Sequence, residues 1–102
     1  MILMTILPKQ LTPSGIIAIE WDGAKNAQME IIKRVNDLYG ECYYSTTFGR
    51  LEIYSTDKKG MMGDLMFKVE IDEIIVFFSK DCEVYTKERL NKEFYVINSE
   101  WS

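Results

Sequence analysis

The sequence predicts an α+β fold, with one long helix packed on a mostly antiparallel sheet of about five or six strands and a short C-terminal helix. Three observations support this prediction. Residues 16–21 alternate between two faces, as a strand does. Apolar residues then recur every three or four positions from Ala24 to Leu38, which is a helical period. After Gly40, short apolar runs alternate with turn residues, the pattern of an antiparallel meander.

Length and composition indicate a single α+β domain that spans residues 1–102. The chain is 47% apolar and 13% aromatic, which is too hydrophobic for a disordered protein. A chain of this size buries a modest core, so association into a homodimer would gain further burial. The sequence leaves that alternative open.

The first third of the chain is predicted to contain two strands and the long helix. Residues 1–7 are apolar and are expected to form an edge strand. A polar connection bracketed by Pro8 and Pro13 leads to the strand at 16–21. Asp22 is the predicted N-cap of the helix, because its carboxylate can accept hydrogen bonds from the amides of the first turn.

A hairpin is predicted next, from two apolar runs on either side of a short turn that contains Gly49. Residues 64–71 then alternate, and four apolar side chains are expected to point inward. These are Leu65, Phe67, Val69 and Ile71. The opposite face is expected to carry Met66, Lys68 and Glu70.

Residues 74–78 are apolar at every position. A strand of this kind is either buried on both faces or covered by a partner. The chain is predicted to end with a short strand at 82–86, a short helix at 87–94 with Thr86 as its cap, and a closing strand at 95–98.

The formal net charge of −4 is concentrated in the second half of the chain. Residues 1–59 carry seven acids and seven bases, whereas residues 60–102 carry nine acids and five bases. A nucleic-acid-binding protein normally presents a basic face, so direct nucleic acid binding is not expected. Two alternatives remain: an ordinary solvated acidic surface, or a surface that faces a basic partner.

Catalytic equipment is missing from the sequence. There is no histidine, and the only two cysteines, Cys42 and Cys82, are forty positions apart. No phosphate-binding, dinucleotide-binding or calcium-binding motif is present. We therefore expect no enzyme activity, no cofactor and no metal site, and two free thiols in place of a disulfide.

The partner-binding prediction falls on the acidic and apolar segment from Glu70 to Asp81. The predicted contact residues are Glu70, Asp72, Glu73, Phe77 and Asp81. The competing interpretation is a solvated turn between two strands, where acids keep sheet edges soluble.

Two further groups of residues have a functional and an ordinary interpretation. Lys58, Lys59 or Arg50 could hold a phosphate, although a turn with Asp, Lys and Gly is also what an ordinary hairpin requires. A set of aromatic residues could stack bases or bind a protein if they are exposed on the sheet, or pack in the core. They are Tyr39, Tyr43, Tyr44, Phe48, Tyr54, Tyr85 and Tyr95.

Several short motifs resemble those of small proteins encoded by phages and prophages. The matching residues are Trp21-Asp22-Gly23 at the strand–helix corner, Gly63-Asp64 at the start of a strand, and Phe94-Tyr95 near the end of the chain. The resemblance covers roughly residues 15–98. The segment 70–81 and residues 1–14 depart from the family pattern, and no catalytic residues are implied.

The resemblance implies a viral protein that acts in the cytoplasm of a host cell by binding a host protein. The expected function is inhibition of an antiviral defence protein, for example a CRISPR effector with a basic nucleic-acid channel, as an anti-CRISPR inhibitor would act. Two alternatives are a sponge that sequesters a small nucleotide signal and a self-associating structural phage protein. No apolar segment is long enough to span a membrane, so no membrane association is expected.

Overall fold

The computed structural model describes residues 1–8 and 16–101, and the side chains of these residues up to Ile97. The predicted connection between Pro8 and Pro13 lies outside the described residues. The described chain contains two helices and eight strands. In order these are β1 (Ile2–Pro8), β2 (Ile16–Glu20), α1 (Lys25–Tyr39), β3 (Tyr43–Thr47), β4 (Arg50–Thr56), β5 (Met62–Val69), β6 (Ile74–Phe77), β7 (Cys82–Tyr85), α2 (Lys87–Glu93) and β8 (Phe94–Trp101).

The α+β class is confirmed, but the strands form two antiparallel sheets where one sheet of about five or six strands was predicted. The larger sheet has the order β7-β6-β2-β1-β8, and the smaller has the order β3-β4-β5. The smaller sheet is separate because tight turns make β3, β4 and β5 pair with one another. The chain then rejoins the larger sheet at β6, which pairs with β2.

The main core lies where α1 and the inner faces of both sheets meet. Its fully buried members come from α1, from β2 and β6 of the larger sheet, and from β4 and β5 of the smaller one. They include Ile19, Ile31, Val35, Leu51, Ile53, Val69 and Ile75. One core therefore holds the long helix against the larger sheet and joins the two sheets.

A second core covers the opposite face of the larger sheet, beneath α2. Its members are Met4, Ile6, Ala18, Ile74, Val76, Tyr85, Leu90 and Phe94. Strand β6 contributes alternate side chains to both cores and is buried at all four positions. Of the two alternatives predicted for the apolar run, burial on both faces is the one that the structure shows for β6.

Strand β1 is internal, so the prediction that it lies at an edge is wrong. It pairs with β2 on one side and with β8 on the other. The reason is that β8 extends to Trp101, well beyond the predicted end of the closing strand, and covers the whole outer side of β1.

The helix ends agree with the sequence except at Asp22. The helix α1 begins at Lys25 with Ala24 in the N-cap position, and no side chain caps it. Asp22 instead accepts a hydrogen bond from the Ala24 amide (2.9 Å), so it orders the loop before the helix. Gly40, with φ of +86°, ends α1, and the Thr86 hydroxyl caps α2 by accepting from the Arg89 amide, both as predicted.

The expected alternation along residues 64–71 fails at three positions, Leu65, Met66 and Ile71, and Ile71 lies beyond the end of β5 at Val69. Leu65 is 49% exposed and Ile71 is 44% exposed, whereas both were predicted to point inward. The register of β4 against β5 shifts after Ile53, so that Met66 is an extra residue on β5. A bulge of this kind reverses the facing of the residues before it, and Met66 packs against the core where Leu65 was expected.

The two cysteines are free, and Cys82 is buried. Burial is the main reason that the pKa of the Cys82 thiol rises from 9.0 to about 12, and the charge of Asp81 adds to it. Below pH 9 the thiol is neutral in both states and does not affect stability. Above pH 9 it ionises only in the unfolded chain, so it lowers the free energy of unfolding as the pH rises from 9.0 to about 12.

We expect Cys82→Ala to flatten part of this alkaline decline, measured as urea-unfolding free energies across a pH series. Tyr39 and Tyr85 also have raised pKa values, mainly through burial, so part of the alkaline decline remains in the variant. Cys82 itself contributes to the pKa of Tyr39, so the Tyr39 contribution changes as well. An unchanged pH slope in Cys82→Ala would show that the thiol titrates normally in the folded protein.

Candidate functional site

Three segments that are distant in sequence meet at one end of the molecule around Trp21. Its indole nitrogen donates a hydrogen bond to the carbonyl of Gly49 at the tip of the β3–β4 hairpin (2.7 Å). Its backbone amide donates to the carbonyl of Glu73, and its carbonyl accepts from the amide of Asp72, each at 2.9 Å. Trp21 is 1% exposed, so these contacts hold the segments together from inside.

We call this end of the molecule the corner face. It consists of residues 20–23, residues 48–50, residues 70–73 and Lys87. Gly23 and Gly49 both have positive φ and both lie beneath Ile71. An added Cβ would lie 3.3 Å from the Ile71 side chain at Gly23 and 3.4 Å from it at Gly49. These glycines therefore allow Ile71 to cover the backbone at this junction.

Phe48 is the most exposed large apolar side chain of the corner face, and it is fully exposed. It forms the hairpin turn together with Gly49, with φ values of +53° and +79°. Two positive φ values in a two-residue turn are typical of type I′, in which Asn-Gly is the favoured sequence. An exposed phenylalanine in the left-handed region is a strained choice that packing inside the chain does not explain.

Acidic side chains lie on the segments next to this apolar tip. Glu70 lies 3.7 Å from the guanidinium of Arg50, which is also 3.8 Å from Glu52. These separations are too long for hydrogen bonds, and the buried Arg50 Nε atom has no hydrogen-bond partner in the structure. Arg50 is therefore a half-buried cation that lies between two carboxylates without a close hydrogen bond to either.

Lys87 joins α2 to the corner face. Its ammonium nitrogen lies 3.2 Å from the carboxylate of Glu20 and 4.0 Å from that of Asp72. Glu20 is the one charged residue that is buried among those described. The ammonium group of Lys87 neutralises the buried carboxylate of Glu20, so it adds little net positive charge to the corner face.

The turn before β6 is fixed in shape by its own acids. The carboxylate of Glu73 accepts a hydrogen bond from the amide of Glu70 (2.8 Å). Asp72 adopts a positive φ of +74°, which is uncommon for a residue with a side chain. Phe48 and Asp72 are the two non-glycine residues with positive φ in the described chain, and both belong to the corner face. Such residues concentrate at functional sites.

The structure brings together three of the five predicted contact residues. Glu70, Asp72 and Glu73 lie side by side on the corner face. Phe77 is 8% exposed and belongs to the main core, so it has almost no surface to offer a partner. Asp81 is exposed, but it follows the far end of β6, about 13 Å or more along that strand.

Three members of the corner face were not predicted from the sequence. They are Glu20, Ile71 and Lys87. Phe48 was predicted only as one of several candidate binding aromatics, although a two-residue hairpin turn with glycine in second place requires positive φ at the first. The other three act through tertiary contacts, and nothing in their local sequence signals them.

The residues proposed to bind a phosphate are not brought together. Arg50 begins β4, whereas Lys58 and Lys59 follow its other end, about 20 Å away along the strand. The Asp57 carboxylate accepts from the amides of Lys59 and Met61, which is the arrangement of an ordinary turn.

The short motif Gly63-Asp64 also has a structural explanation. A Cβ at Gly63 would lie 2.6 Å from the Ser55 hydroxyl, so only glycine fits there without a shift. The same hydroxyl accepts from the amide of Asp64 (3.0 Å). The Gly63-Asp64 pair therefore secures the contact between β4 and β5.

The described residues contain neither a metal-binding cluster nor a helix that could span a membrane. Across residues 1–8 and 16–101, no three histidine, cysteine, aspartate or glutamate side chains converge in a way that could hold a metal ion. Neither helix of this part of the chain has the length and apolar character needed to cross a bilayer. Comparisons with protein-family models, with curated protein sequences and with solved structures found no match.

Proposed function

We propose that this protein acts by binding another protein through the corner face. The observation that carries the proposal is Phe48, a fully exposed aromatic residue held in a strained turn next to Arg50, which pairs with the acidic segment of the corner face. An aromatic anchor with a polar rim is the usual form of a protein-binding hot spot. A small-molecule site would need a concave pocket, whereas Phe48 projects from the surface.

The charge of the rim indicates a basic partner. The corner face carries five acids against two basic side chains, Arg50 and Lys87. Asp22, Glu70 and Asp72 are exposed, and each lies within 4.0 Å of a cation, which for Asp22 is the N-terminal ammonium. The acidic excess of the second half of the chain extends this negative field. Such a field favours association with a positively charged surface and makes the rate depend on salt.

In its specific form the proposal is that the protein is a phage-encoded inhibitor of a host antiviral defence protein. A CRISPR effector is one example, because the corner face has the charge and projecting shape to enter a basic nucleic-acid channel. The resemblance to phage and prophage proteins supports this origin, and the site of action is then the host cytoplasm. The separation of Arg50 from Lys58 and Lys59 makes a nucleotide sponge the weaker alternative.

Quantitative capture from a bacterial host lysate tests the proposal with two matched charge reversals. Glu70→Lys reverses a charge on the corner face, and Asp64→Lys makes the same change near the other end of β5, about 20 Å away. We expect the wild type and Asp64→Lys to capture one stoichiometric basic partner and Glu70→Lys to capture much less of it. Equal capture by both variants, or no stoichiometric partner for the wild type, would contradict the proposal.

A further inference from the structure

Strand β3 forms one edge of the smaller sheet, and nothing in the described structure covers it. It pairs with β4 alone, and all five of its residues are exposed. Thr47 and Arg50 flank the two-residue turn, so they form the first hydrogen-bonded pair of the hairpin. The alternation along an antiparallel ladder then points the backbone groups of Tyr44 and Thr46 outward from the sheet.

The other three edges among the described strands carry features that discourage pairing. The pairing of β5 with β4 shifts register twice, and that of β8 with β1 shifts once. Strand β7 presents Glu83, which is paired with Arg89. Bulges and charges are the common protections of an edge strand. Strand β3 has neither: its sequence is YYSTT, and its register with β4 is regular.

A groove of about 380 Å³ lies beside β3, between α1 and Tyr44. Its charged lining residues are one cation, Lys33, and one anion, Asp37, which are one helical turn apart on α1. These two charges are opposite and equal in number, so the groove presents no net charge that would repel a second copy of this chain.

We propose that two copies of this chain associate by antiparallel pairing of β3 with β3 of the second copy. Ser45 lies on the two-fold axis, and Tyr44 of each copy lies opposite Thr46 of the other. The outward backbone groups of these residues are then satisfied, and a continuous six-stranded sheet results. The uncharged strand is the reason that a chain of net charge −4 can associate here without local repulsion.

This inference is independent of the proposed function. Antiparallel pairing directs the two hairpin tips in opposite directions, and the last pair at each end of the shared strands is Thr47 opposite Tyr43, so Phe48 lies outside the paired strands. Failure of dimerisation would leave partner binding at the corner face intact. Failure of partner binding would likewise leave dimerisation through β3 intact.

Charge substitution on the two-fold axis tests the pairing and its register. Ser45→Lys and Ser45→Glu each place a charge opposite itself, and like charges directly opposite destabilise a strand pair. By sedimentation velocity we expect each variant to weaken the dimer by about tenfold, and an equimolar mixture to recover a dimer of one chain of each kind. Circular dichroism checks that both variants remain folded, since Ser45 also faces Glu52 on β4.

A backbone variant provides a second test if the charges disturb the hairpin. Thr46→Pro removes an outward-facing N–H group and leaves the ladder to β4 intact, so it is expected to be monomeric, while Thr46→Ala remains dimeric. A wild-type chain that stays monomeric at millimolar concentration would overturn the proposal. So would Ser45→Lys and Thr46→Pro variants that dimerise as strongly as the wild type.

Discussion

Replacing Trp21 with alanine is expected to lower the free energy of unfolding by about 3–5 kcal/mol. The indole is buried in the main core, and its loss leaves a cavity where α1 meets the two sheets. The variant also loses the hydrogen bond to Gly49, which leaves that carbonyl without its partner. Small domains are stable by roughly 5–15 kcal/mol, so a large part of the total is removed. Urea unfolding followed by circular dichroism measures the change.

The matched variant Trp21→Phe separates the two contributions. Phenylalanine retains most of the apolar contact and lacks the N–H donor, so we expect an intermediate loss of about 1–3 kcal/mol. Partner binding should weaken in Trp21→Ala even under conditions where the chain is folded, because the hairpin tip and the turn at Glu70–Glu73 are no longer fixed together. A loss below about 1 kcal/mol for Trp21→Ala would show that the corner is held by other contacts.

Replacing Phe48 with asparagine is expected to weaken partner binding strongly without weakening the fold. Removal of an aromatic hot-spot residue costs about 2 kcal/mol or more of binding free energy, which is roughly thirtyfold or more in affinity. The folded chain loses no buried contact, because Phe48 is fully exposed. Asparagine also tolerates the left-handed backbone better, so the free energy of unfolding should be unchanged or rise by up to about 1 kcal/mol.

The control for this variant is Met61→Asn. Met61 is also a highly exposed apolar residue, but it lies beyond the other end of β4, next to the turn at Asp57–Gly60. We expect Met61→Asn to bind the partner as the wild type does. The opposite pattern, in which Phe48→Asn binds normally and is less stable, would mean that Phe48 serves the fold of the hairpin.

Weaker binding without a loss of stability, which is the result expected for Phe48→Asn, distinguishes a binding residue from an ordinary surface residue. Residues kept for function often reduce stability, and their replacement by a locally favoured residue then stabilises the fold. The tip of the β3–β4 hairpin is such a place, because an Asn-Gly turn would serve the hairpin better than Phe48-Gly49.

Elements whose cause is local could be predicted from the sequence. The apolar period from Ala24 to Leu38 coincides with α1, and Thr86 caps α2 because its hydroxyl needs only the next turn of chain. The unbroken apolar run at 74–78 indicated burial on both faces or cover by a partner, since it has no polar face, and β6 is buried on both faces.

Features that depend on contacts between distant residues could not be predicted. Nothing near Ile2–Pro8 reveals that β8 covers the outer side of that strand, and the bulge at Met66 appears only in the register against β4. For the same reason, only part of the candidate site could be predicted from the sequence. The acids at 70–73 stand out as a run, whereas their neighbour Phe48 comes from another strand pair and is brought close through Trp21.

The central claim is that the corner face, and Phe48 in particular, is covered in the complex. Oxidative footprinting of the free chain and of the chain bound to its captured partner tests this directly, because exposed phenylalanine and methionine side chains both react. The account predicts that modification of Phe48 falls sharply on binding while that of Met61 and Met62, at the other end of the smaller sheet, stays the same. Unchanged modification of Phe48 in a saturated complex, with protection at the two methionines, would contradict it.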